Sequence, residues 1–136
     1  MSPAIENGEV VLVDRLIVDM KTPSRGTVVA FRPDGNREVH LLIRRIVGLP
    51  GETIQIKDGM IYIDGEIYLE KKDYPAMTDA GLAEEPITLG TNQYFVLGDN
   101  REVSYDARYW ENPYISQDKI QSDVEVVIPF HKLPWF

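Results

Sequence analysis

No cysteine occurs in the 136 residues, so a disulfide framework and a thiolate metal site are both excluded. That absence does not fix the compartment. Positive charge is scarce: 14 Lys and Arg stand against 22 Asp and Glu, a formal net charge of −8. A surface that tracks phosphates needs a basic excess, so nucleic acid is excluded as the expected partner. Long apolar runs are missing too. The longest, "VVLV" and "HLLI", are strand-length, far from the roughly 20 residues of a membrane helix. The opening "MSPAIENG" has no charged n-region and does not read as a signal peptide. The expectation is a soluble domain, or a soluble piece of a longer protein. Helical periodicity never exceeds two turns.

What is present is strand after strand. "EVVLVDRLIV" (9–18), "GTVVAF" (26–31) and "EVHLLIRRIVG" (38–48) are rich in β-branched residues and bounded by Pro, Gly, Asp and Asn. In "ETIQIKDGMIYIDGEIY" the pairs Asp58-Gly59 and Asp64-Gly65 mark two hairpin tips, because Asp-Gly tolerates the positive φ that tight turns demand. Ile54 and Ile56, then Ile61 and Ile63, alternate with polar neighbours, the pattern of a half-buried sheet.

From about Leu69 to Asn92 the chain is polar and broken by Pro75, Gly81, Pro86 and Gly90. It reads as an excursion with a helical turn near Thr78–Ala83. "QYFVLGDN" (93–100) returns to strand, "SQDKI" (116–120) suits one helical turn, and "DVEVVIPF" (123–130) is a last strand. The fold class is therefore all-β and mainly antiparallel. A single domain is expected, its core formed by about 1–52 and 93–136, with a meander and small lobe inserted over about 53–92.

The most unusual segment is "GDNREVSYDARYW", 98–110. Asp99, Arg101, Glu102, Asp106 and Arg108 crowd around Ser104 directly after the apolar "YFVL". Charges set hard against a core strand are costly unless paired, so a fixed ion-pair network is one reading. A solvated surface loop is the other.

Four segments in order resemble bacterial type I signal peptidase, the membrane-bound serine protease that uses a Ser-Lys dyad. "MSPAIENGEVVLV" matches the family's nucleophile motif from its Met onward, with Met1, Pro3 and Gly8-Glu9 in place. Arg25-Gly26-Thr27 resembles the Arg-Gly-Asp motif, with Thr27 for Asp. Arg44-Arg45-Ile46-Val47-Gly48-Leu49-Pro50-Gly51-Glu52 resembles the lysine motif, and Gly98–Trp110 the last one, with Ala107 at its second Ser. The resemblance covers nearly the whole chain. It implies the signal-peptidase/LexA-like β structure with a small inserted lobe. It also implies an N-terminal membrane anchor outside this chain, with this domain on the extracytoplasmic side of the cell membrane. No metal or cofactor is implied.

Two departures touch the chemistry. The family's nucleophilic Ser directly precedes the motif Met, which here is residue 1. Ser2 stands at the variable position between Met and Pro, so Met1, Ser2 and Pro3 border the expected peptide groove without supplying the nucleophile. Arg44 occupies the position of the general-base lysine. A lysine ammonium loses its charge when burial lowers its pKa, and can then accept a proton. A guanidinium with pKa above about 12 has no lone pair to offer, and neutralising it at pH 7 costs about 7–8 kcal/mol. A general base supplies only about 10²–10⁴ in rate. His40 lies four residues earlier, about 13 Å away along a strand, and does not replace it. Lys57, Lys119 and His131 have surface contexts.

The supporting residues fit better. The resemblance assigns Ser104 to the serine that hydrogen-bonds the lysine, and Asp99, Asp106 and Arg108 to the charged floor of the site. For Arg44, pairing with Asp99 or Asp106 and exposure to solvent are both open. Phe130, Trp135 and Phe136 at the end suit core closure or an interfacial anchor.

The resulting expectation is a signal-peptidase-like domain without peptidase activity that binds an extended peptide. That peptide is a signal peptide or a pilin segment of an exported protein. Some Gram-positive bacteria, streptococci among them, carry non-catalytic relatives needed for sortase-dependent pilus polymerisation, and sortase machinery is a partner the resemblance implies. An active signal peptidase whose Ser lies upstream is the alternative. A self-cleaving repressor domain is disfavoured by the last motif.

Overall fold

Central strands covered on both faces explain why the apolar runs of this chain are nearly continuous rather than alternating. The computed structural model describes residues 23–31, 42–71 and 73–120 in full, and the backbone of 11–14 and 121–126. The strands are β1 (Val11–Asp14), β2 (Val28–Phe31), β3 (Leu42–Gly48), β4 (Thr53–Lys57), β5 (Met60–Ile63), β6 (Glu66–Ile67), β7 (Ile87–Thr88), β8 (Gln93–Leu97), β9 (Ile115–Ser116) and β10 (Ile120–Val126). They form a six-stranded sheet, β1-β10-β2-β3-β8-β9, and a four-stranded sheet, β6-β5-β4-β7. Every pairing among the described residues is antiparallel. The expected all-β class is what the molecule has.

β2 is buried throughout, and β3 is buried at every position except the half-buried Arg45. Phe31, Ile46, Val47, Phe95 and Leu97 meet Ile54, Ile56 and Ile61 of the smaller sheet in one core. The two sheets touch where β3 ends. A Cβ on Gly48 would lie 2.8 Å from Ile54 and 2.9 Å from Leu89, so only glycine lets β4 and Leu89 approach this closely. The β3–β8 register shifts at the same place, between Ile46 and Gly48.

In the smaller sheet the two hairpin tips fall where Asp-Gly places them. Asp58 and Gly59 have φ of 54° and 75°, Asp64 and Gly65 of 52° and 85°, the paired positive angles of tight hairpins. The excursion differs in detail. Its helical turn is a 3-10 turn at Gly81–Glu84, later than expected. Asp79 accepts the Gly81 N–H at 2.8 Å, which holds the chain out of helix until there. Glu85, extended ahead of Pro86, ends it. The turn near 116–120 is a 3-10 turn at Gln117–Lys119, entered from β9. The last strand starts at Ile120, earlier than expected. Met1, Ser2, Pro3, His40, His131 and the terminal aromatics lie outside the described residues.

Candidate active site

Consecutive strand residues point to opposite faces, so Arg44 and Arg45 on β3 serve different sides of the sheet. Arg44, opposite Val29 of β2, is fully buried. Its Nε and Nη2 donate to the Tyr105 carbonyl at 3.2 and 2.8 Å, and its Nη1 donates to the Ile43 carbonyl at 2.7 Å. Burial pushes the guanidinium down to about 10, partly opposed by the charge of Asp106. Of the sequence alternatives for Arg44, exposure to solvent is corrected: the side chain is fully buried, the charge of Asp106 acts on it, and its described hydrogen bonds run to backbone carbonyls rather than to Asp99 or Asp106.

Asp99 belongs to the opposite face. Arg45 grips it with Nε and Nη2 at 2.8 and 2.7 Å and donates Nη1 to the Gly26 carbonyl at 2.9 Å. Burial acts to lower the Arg45 pKa, but the Asp99 carboxylate more than offsets it and the net shift is upward.

Asp106 and Arg108 form the floor. Both are buried, and Arg108 Nε and Nη2 donate to Asp106 at 2.8 and 3.0 Å. Asp106 also accepts the Gly98 and Arg108 backbone N–H groups, which caps the 3-10 turn at Ala107–Tyr109. Arg108 reaches the carbonyls of Arg101 and Asp79 at 2.8 and 3.0 Å. Each polar atom in this network has its partner supplied by the chain itself, the condition under which a buried ion pair is tolerated.

Ser104 is buried beside this floor. Its backbone N–H donates to the Asn100 carbonyl at 2.9 Å. Its Oγ has no hydrogen-bond partner, one of two such buried atoms among the described residues. A guanidinium that ends on the Tyr105 carbonyl does not serve the hydroxyl one residue earlier. Lys57 lies exposed over the Tyr62 ring, 4.9 Å from its centroid, and Lys119 sits on the 3-10 turn before β10. Neither approaches the site by any described contact.

Sequence reasoning singled out Arg101 and Arg25 but missed their partners, and it missed Tyr74. Arg101, fully buried, forks onto Glu70 at 2.8 Å through both terminal nitrogens. Tyr74 lies under both Arg101, at 4.2 Å, and Arg45, at 5.7 Å. Arg25 forks onto Glu52 at 2.7 Å and reaches the Val47 carbonyl, joining the second motif to the end of the third. The two ion pairs span 27 and 31 residues along the chain, where no local spacing rule applies.

A six-stranded antiparallel sheet with a buried Arg108–Asp106 pair in the loop after β8 fits a signal-peptidase-type β domain. The crystal structure of a signal peptidase I from Enterococcus faecalis superposes with a TM-score of 0.61 at 27% identity, covering 79% of this chain and 100% of that one. The chain belongs to the family described as signal peptidase, peptidase S26, whose profile matches residues 1–129. Among its relatives, the probable signal peptidase I-2 of Synechocystis is 32% identical over 114 residues, 81% of this chain and 51% of that protein. Signal peptidase I S of Bacillus subtilis is 31% identical over 141 residues, 98% of this chain and 74% of that protein. The chain spans about half the length of the first of these.

Proposed function

We propose that this signal-peptidase-like domain holds an extended peptide of an exported protein without hydrolysing it. The observation that carries the reading is the protonated guanidinium of Arg44 where the family motif has its general base. Burial has lowered its pKa to about 10, less than neutrality requires. At pH 7 the guanidinium therefore stays protonated and offers no lone pair to take a proton. All three guanidinium nitrogens also donate to carbonyl oxygens, which fixes them as donors rather than acceptors.

Peptide retention needs no base. β1 is a terminal strand of the six-stranded sheet, with β10 its one ladder partner among the described residues. A peptide adding to such an edge gains main-chain hydrogen bonds whether or not it is cut. The proposed setting is the extracytoplasmic face of the membrane. The proposed cargo is a signal segment or a pilin passed to sortase machinery, as the family resemblance implies.

The test uses the chain with an N-terminal extension that places a serine directly before Met1. The extended protein is incubated with a preprotein, and the products are weighed by mass spectrometry. No shortened product is expected with Arg44. A product cut at the signal site is expected once Arg44→Lys is combined with that serine. Cleavage by the Arg44 form, lost on changing the upstream serine to alanine, would establish the alternative, an active peptidase.

A further inference from the structure

A cleft of about 300 Å³ opens on the Arg45 side of β3, with Arg25, Arg45, Tyr68, Glu70, Lys71 and Tyr74 on its walls. In a chain of net charge −8, these walls bring three cations to one carboxylate. The hydrogen bonds decide what that charge is free to do.

Every charged acceptor at the cleft is already engaged. Both Glu70 carboxylate oxygens accept from Arg101 at 2.8 Å. Behind the walls, Glu52 is forked by Arg25 and Asp99 by Arg45. Backbone acceptors are engaged as well. The Val47 carbonyl takes Arg25, and the Gly26 carbonyl takes Arg45. The Thr27 and Ile46 carbonyls are bonded between β2 and β3 at 2.8 Å. Donors are what remain. A guanidinium has more N–H groups than one fork and one carbonyl consume, and no described bond uses Arg25 Nε. Lys71 is exposed and has no ion pair among the described residues. The three arginine–carboxylate forks cancel in charge, so the Lys71 ammonium sets the sign.

Such walls select a ligand that only accepts hydrogen bonds. A carboxylate is planar and is met best by a guanidinium fork, and the forks are spent. The leftover donors stand apart, Arg25 over the Tyr68 ring at 5.4 Å and Arg45 over the Tyr74 ring at 5.7 Å. A phosphate presents acceptor oxygens in several directions and meets both. We infer that this cleft binds a phosphate group, carried by a free small molecule or by an anionic lipid headgroup. Lys71 is its charged contact, and the leftover N–H groups of Arg25 and Arg45 are its donors. Arg44 points to the other face of β3, so this site does not depend on whether a peptide is held or cut.

The test titrates inorganic phosphate into the protein at fixed ionic strength, followed by NMR. Shifts of the Arg25 Nε–H and of the Gly26 and Lys71 amides are expected, with a dissociation constant of about 1 mM or tighter. Lys71→Glu should weaken binding about tenfold or more and leave the thermal midpoint of the free protein unchanged, since the side chain is exposed. Lys119→Glu makes the same charge change outside the cleft and should leave binding within about twofold. A second arm measures co-sedimentation with phosphatidylcholine vesicles, with and without phosphatidylglycerol. Binding of phosphate assigns a small-molecule ligand. Binding of the anionic vesicles alone, lost in Lys71→Glu, assigns a headgroup. No binding in either arm, or equal weakening by Lys71→Glu and Lys119→Glu, would overturn the inference.

Discussion

Arg44 and Ser104 show how two buried polar side chains fare differently in one frame. Ser104 is buried and its Oγ has no partner, while the Arg44 guanidinium donates to the Tyr105 carbonyl. A buried hydroxyl without a partner costs desolvation and returns nothing. Ser104→Ala should therefore leave stability unchanged, or raise it by up to about 1 kcal/mol, in urea denaturation. In an Arg44→Lys background the same change should cost about 1 kcal/mol, because an ammonium there would find the hydroxyl, and a double-mutant cycle isolates that coupling. The arginine at position 44 was legible in the sequence. Its burial and its contact with the Tyr105 carbonyl were not, because Tyr105 lies 61 positions away.

At the scale of elements, β3 joins the two sheets and divides the two arginine systems. The hairpins of the smaller sheet were legible because an Asp-Gly pair states its own backbone angles. The excursion was less so, since its course is set by what it packs against. Gly81, at φ 55°, is the clearest case: a Cβ there would collide with the backbone carbonyl of Arg108. The segment after Asp79 is thus pressed against the loop that carries the site floor, and Arg108 binds the Asp79 carbonyl across the same contact. Gly81→Ala should destabilise by about 2–4 kcal/mol, from a left-handed φ together with overpacking against backbone that cannot yield, read from the urea midpoint. A comparable change at Gly65, with nothing within 4 Å of its added Cβ, should cost only the backbone term.

For the whole molecule, long-range ion pairs tie segments distant in sequence: Arg25 to Glu52, Arg45 to Asp99 and Arg101 to Glu70. Glu52 reports on them through pH. Burial acts to raise its pKa, but the Arg25 fork and the Leu49 N–H more than offset that, and the carboxyl is held below its usual range. A depressed folded pKa means the stabilisation is full above the unfolded value, about 4.3, and is lost as pH falls from there toward the folded value. Glu52→Gln should therefore melt below the parent at pH 7, and the gap in midpoint temperature should narrow under about pH 4 in a calorimetric series. A gap that stays constant across that range would show that the charge of Glu52 contributes nothing.

The sequence alone determined the strand-rich class, the two hairpin tips, the family motifs and the arginine at position 44. Each is encoded by near neighbours: β-branched alternation, turn chemistry, or residues at fixed short spacing. Tertiary structure decided which carboxylate each arginine takes, that Arg44 is buried on carbonyl oxygens, and that Ser104 lacks a partner. Those outcomes turn on which distant segments pack together, and that depends on burial and the satisfaction of every buried charge across the assembled sheets rather than on any stretch of the chain.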